Sequence, residues 1–94
     1  MMDKKNIILS AQRTFRGVEI PNIQAITIRF TSKPILLRAY FNEKPSESEC
    51  DLIKKISNML IIDFNEITEV REEFFVNETI ICLDEWIYLQ LTDM

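Results

Sequence analysis

Apolar residues along the first third of the chain change period at one point. In KKNIILSAQRTFR, Ile8, Ala11, Gln12 and Phe15 recur at helical spacing with Ile7 beside them, which predicts an amphipathic helix. Asp3 stands where a cap belongs, and Gly17 where a left-handed exit is favoured. Pro21 blocks continuation. NIQAITIRF then alternates, with Ile26, Ile28 and Phe30 on one side. After TSKP, PILLRAYF alternates again, setting Ile35, Leu37, Ala39 and Phe41 against Leu36, Arg38 and Tyr40. The two runs read as a hairpin.

The helical period returns after Pro45. Ser46 and Glu49 have the spacing of a capping box, and Leu52, Ile53, Ile56, Met59, Leu60 and Phe64 follow at helical intervals. MLIID alone would also suit a strand, which leaves the helix end open. EITEVREEFFV alternates once more, with Val70, Phe74 and Val76 opposite Glu69, Arg71, Glu73 and Phe75. A loop, NETIICLDE, leads into a last strand in DEWIYLQL, where Ile87, Leu89 and Leu91 face away from Trp86, Tyr88 and Gln90. The pattern predicts one α+β domain over residues 1–94, in the order αββαββ. An antiparallel four-stranded sheet would carry both helices on one face, with Ile28, Leu37, Ile56, Leu60, Phe74 and Leu89 in one core.

That arrangement leaves a second sheet face bearing Thr27, Arg29, Arg38, Tyr40, Glu69, Arg71, Glu73, Trp86, Tyr88 and Gln90. Antiparallel sheets often keep one face wet, but water does not call for a tryptophan and two tyrosines. Trp, Tyr and Arg are enriched where proteins bind one another. Cross-strand pairing of aromatics that shield the backbone accounts for the same residues.

Composition narrows the chemistry. The 94 residues contain no histidine and a single glycine, Gly17. The commonest general base and metal ligand are thus missing, and no glycine-rich phosphate loop can be built. Cys50 and Cys82 lie far apart and read as free thiols rather than a zinc or disulfide framework. No enzyme, cofactor or metal is expected. No apolar run approaches a membrane span, and the N-terminal stretch is too short for a signal peptide, so a cytoplasmic protein without membrane association is expected.

Charge divides the chain. Residues 1–40 hold seven basic and two acidic side chains, and residues 41–94 hold four basic and thirteen acidic ones. The acidic half repels phosphate, and Lys4, Lys5, Arg13 and Arg16 alone make a poor nucleic-acid site, so direct nucleic-acid binding is not expected. Acidity suits a basic protein partner, but taken alone it is more usually explained by solubility.

The succession ILSAQRTFRG, PNIQAITI, ILLRAYF with SESE after it, IIDF and DEWIYLQ resembles the immunity proteins of contact-dependent growth-inhibition and related polymorphic toxins. The likeness runs from Ile8 to Gln90, and its weight lies in the order of the blocks, since none is a catalytic motif. NETIICL departs from it as a more apolar loop. The resemblance implies a bacterial cytoplasmic protein, a monomer that binds the C-terminal domain of its cognate toxin 1:1. That toxin is commonly a nuclease with a basic surface, whose active site or substrate surface the immunity protein covers. The resemblance maps no functional residue. Charge and strand pattern nominate Tyr40, Glu69, Glu72, Glu73, Asp84, Glu85, Trp86 and Tyr88 as partner-binding residues. The other reading of the chain is a small cytosolic adaptor or structural module unrelated to toxins.

Overall fold

The helix that separates two pairs of strands decides the sheet. The computed structural model describes residues 4–14, 22–31 and 33–89, with elements α1 (Lys4–Arg13), β1 (Ile23–Arg29), β2 (Ile35–Phe41), α2 (Glu47–Asp63), β3 (Val70–Val76) and β4 (Glu85–Leu89). Asp3, Phe15, Arg16, Gly17, Pro21, Gln90 and Leu91, singled out above, lie outside the described residues. The sheet order is β3-β2-β1-β4. β1 pairs antiparallel with both β2 and β4, but β3 runs parallel to β2. The expected antiparallel sheet is therefore corrected to a mixed one. The cause is α2, which at 17 residues is long enough to carry the chain back to the end where β2 began, as a parallel crossover requires.

α2 starts where its capping box places it. Ser46 Oγ accepts from the Glu49 amide at 3.3 Å, and Glu49 Oε1 accepts from the Ser46 amide at 2.8 Å. It continues through MLIID to Asp63 as helix, so that segment is not a strand. Ile53, Ile56, Ser57 and Leu60 form its buried stripe. On α1 the buried stripe is Ile7, Ser10 and Ala11, whereas Gln12 is exposed, a shift of one position from the expected face. The Ser10 hydroxyl donates to Asp63 Oδ2, which ties α1 to the last turn of α2. Gln12 Nε2 donates to the Ile87 carbonyl at 3.4 Å and ties α1 to β4.

Both helices lie on one side of the sheet. Ile7, Ala11, Ile53, Ile56 and Leu60 pack there against Ile26, Ile28, Ile35, Leu37, Ala39, Phe41 and Ile87. Two irregularities break the strict alternation read from the sequence. A register shift between Ile23 and Ala25 brings Ile23 into the same core as Ile26. A second lies in β4, where Tyr88 pairs with Ile26 and Trp86 with Thr27, so Ile87 is the extra residue. Tyr88 consequently packs against the helix-side core, and Leu89, expected in that core, is 41% exposed. Phe74, also expected there, sits on the edge strand β3 and is 36% exposed, although its ring meets Phe41 with centroids 6.0 Å apart. Ile28, Leu37, Ile56 and Leu60 are fully buried.

Candidate functional site

On the side of the sheet away from the helices, strand register lines side chains up in rows. One row crosses all four strands as Glu73, Arg38, Thr27 and Trp86. The next runs Phe75, Tyr40, Ala25 and Leu89. Arg38 donates through Nε and Nη2 to Glu73 Oε1, at 3.0 and 2.9 Å. Its guanidinium carbon lies 5.0 Å from the centroid of Phe75, which in turn stacks on Tyr40 at 5.5 Å. Burial alone would lower the Arg38 pKa, but contacts with Tyr40 and Glu73 outweigh it and hold the pKa above its ordinary value.

This face is not simply open to water. β3 and β4 are the two edges of the sheet, so the chain must cross β2 and β1 between them. It does so as a strap, residues 77–84, over the face opposite α2. Strand connections β2 to β3 and β3 to β4 run across the sheet in opposite directions. They share one hand only by using opposite faces, which is what the preference for a single crossover hand demands. Asn77, at φ 56°, turns the chain off the end of β3, a backbone region that asparagine tolerates.

The strap is held at every strand it crosses. The Asn77 amide donates to the Phe41 carbonyl at 2.9 Å. The Tyr40 hydroxyl accepts from the Ile81 amide at 3.1 Å and donates to the Ile81 carbonyl at 3.2 Å. The Thr27 hydroxyl accepts from the Leu83 amide at 2.9 Å and donates to the Glu85 carbonyl at 2.7 Å. Asp84 closes the far end. Its amide donates to the Ile28 carbonyl at 2.9 Å, and its Oδ2 accepts from the Phe30 amide at 2.8 Å, the Thr31 amide at 3.0 Å and the Thr31 hydroxyl at 2.9 Å. Burial pushes the Asp84 pKa up, but these donors and the charge of Arg29 prevail and hold it below the usual carboxylate value.

The eight nominated residues thus fall in several environments. Tyr40, Glu73 and Trp86 share the strap face, although Tyr40 is only 2% exposed and Trp86 is half-buried. Glu72 points the other way and accepts a 2.5 Å hydrogen bond from the Ser57 hydroxyl of α2. Tyr88 joins the helix-side core. Glu69 is exposed beside Arg71 at 3.4 Å, and Asp84 anchors the strap at the same end of the sheet but the opposite edge. Glu85 is half-buried at the start of β4. Thr27 and Ile81, which the nomination does not include, lie on the same strap face. Their signal was the apolar loop NETIICL, which covers hydroxyls that the alternation assigned to water.

Among the described residues no three His, Cys, Asp or Glu side chains are grouped to hold a metal ion, and no helix is long and apolar enough to cross a membrane. Cys50 and Cys82 are free thiols. A cleft of ≈ 260 Å³ between Lys33, Pro34, Ile35 and the segment Glu66–Glu69 lies below the usual volume of a small-molecule site, about 300–1,000 Å³. What the arrangement offers is surface: a pinned apolar strap and carboxylates on both sheet edges.

No curated protein matches the chain. The model of the MafI2 immunity proteins matches residues 4–91. The resemblance to immunity proteins holds in that form, for a toxin-neutralising family, and is not specific to contact-dependent growth inhibition. With the match spanning nearly all of its length, the chain belongs to the MafI2 immunity protein family, and its partner is a cognate toxin.

Proposed function

We propose that this immunity protein neutralises a nuclease by covering its basic nucleic-acid-binding surface in a 1:1 complex in the bacterial cytoplasm, with no catalysis of its own. The observation that carries this reading is where the acidic half of the chain ends up. Thirteen of the fifteen acidic residues follow residue 40, and that half forms α2 and both edge strands of the sheet, while the central pair β1 and β2 comes from the basic half. Carboxylates therefore frame the molecule on its two flanks. A nuclease must be basic where it holds phosphate, so a frame of this kind draws the two together and fixes their register. Glu69 and Glu85 supply the charge, Trp86 supplies the half-buried aromatic surface, and Glu73 holds Arg38 in place on that face. Glu72 and Asp84 set the positions of the elements that carry them.

The test is biochemical. The cognate toxin domain is purified from its complex and assayed on RNA and DNA, with and without equimolar immunity protein. Cleavage that the immunity protein abolishes, with an association rate that falls steeply as salt rises, is the expected result. A toxin without nucleolytic activity, or association insensitive to salt, would overturn the reading.

A further inference from the structure

We infer that the strap is the toxin-docking element, with Ile81 as its anchor and Tyr40 as the positioning residue that holds it; this rests on the reading of a basic toxin surface given above. An exposed aliphatic is ordinary on any protein. Ile81 is unusual in what holds it. The residue is 57% exposed, while its amide and carbonyl are both bonded to one hydroxyl, that of Tyr40, which is almost wholly buried beneath. The tyrosine is itself fixed by stacking on Phe75. An apolar group on a backbone already immobilised loses little freedom when it enters a partner's pocket, which is the condition for an efficient anchor.

The neighbours of Ile81 indicate what it meets. The segment NETIICLDE contains Glu78, Asp84 and Glu85 and no lysine or arginine. An apolar residue in a segment whose only charged side chains are carboxylates fits a basic surface that contains an apolar pocket, and disfavours an acidic or phosphate-bearing one. Thr27 holds the strap on the next strand through Leu83 and Glu85, so the presenting loop is fixed on both sides of Cys82. Sequence composition alone makes this loop an anomaly. The two hydroxyls beneath it explain why it lies flat on the sheet, and the isoleucine held on top is the apolar point that a partner would meet.

The experiment measures binding of the purified toxin domain to wild-type protein, Ile81→Asp and Tyr40→Phe, with hydrogen exchange on wild type with and without toxin. Ile81→Asp should weaken binding at least about tenfold, mainly through faster dissociation. Tyr40→Phe keeps the stacked ring and removes only the hydroxyl. It should speed exchange of the Ile81 amide in the free protein and weaken binding several-fold with unchanged circular dichroism. Toxin should protect amides of the strap in wild type, a readout that needs no variant to fold. If Ile81→Asp binds within about twofold of wild type, or protection falls on the β3 edge and spares the strap, the inference fails and the proposed function stands. If the toxin is not a nuclease or associates without salt dependence, the proposed function fails whatever Ile81 does.

Discussion

Ser57 of α2 donates a 2.5 Å hydrogen bond to Glu72 of β3, joining the crossover helix to the edge strand that it delivers. β3 has a neighbour on only one side, so its other attachment to the molecule is α2 itself. Ser57 is buried and also lies 3.5 Å from the Ile53 carbonyl, so its hydroxyl is held within the helix layer. Ser57→Ala should cost about 1.5–3 kcal/mol, the range for a hydrogen bond to a charged group. A urea titration with a lower midpoint and unchanged slope would show it. An unchanged midpoint would mean that β3 is held by its ladder with β2 alone.

Core positions should separate sharply from the edge. Leu37→Ala and Ile56→Ala, at fully buried sites, should each cost about 2–5 kcal/mol. Phe74→Ala and Leu89→Ala should cost less, since both residues are more than a third exposed. Equal losses at all four would contradict the β4 irregularity that turns Leu89 outward.

Much of this fold was legible because local signals agreed with the global one. Ser46 and Glu49 announced α2, and alternation located β1 and β2 as an antiparallel pair. Alternation carries no sign of the direction of β3, although the spacing of elements contains it: a long helix between two neighbouring strands allows a crossover, and crossovers deliver parallel strands. The bulge at Ile87 was not legible, because period-two alternation carries no mark where one residue is added. Its consequence was large, since it exchanged the faces of Tyr88 and Leu89. Alternation places Tyr40 among the partner-facing aromatics, whereas it lies buried under the strap. Nothing local distinguishes an aromatic facing water from one under a strap forty residues later.

Asp84 makes the strap sensitive to acid. Its pKa is lowered in the folded state, so its contribution to stability is complete above the unfolded value and disappears as pH falls through the folded one. Asp84→Asn should therefore be clearly less stable than wild type at neutral pH, and the gap should narrow as pH drops below the ordinary carboxylate value of 3.8. Chemical denaturation of both proteins at neutral pH and near pH 3 would measure it. A gap independent of pH would show that geometry, and not charge, makes the carboxylate useful.

Charge on the surface should govern encounter with the toxin and leave folding alone. The carboxylates suitable for this test are those outside the internal network, because reversing Glu72, Glu73 or Asp84 would strand Ser57, Arg38 or the Phe30 and Thr31 amides. Glu69 and Glu78 are both exposed, and Glu69 makes only an exposed ion pair with Arg71, of a kind worth about 1 kcal/mol at most. The double variant Glu69→Lys with Glu78→Lys should melt close to wild type yet associate more slowly, with a shallower dependence on salt, because long-range attraction acts mainly before contact. Trp86→Ala should do the reverse, leaving the association rate near wild type and raising the dissociation rate, as truncation of a central contact does. Surface plasmon resonance across a salt series separates the two effects, and survival during co-expression with the toxin reports their sum. A folded double variant whose association rate matches wild type at low salt would remove the electrostatic half of the proposed mechanism and leave the apolar strap to carry recognition.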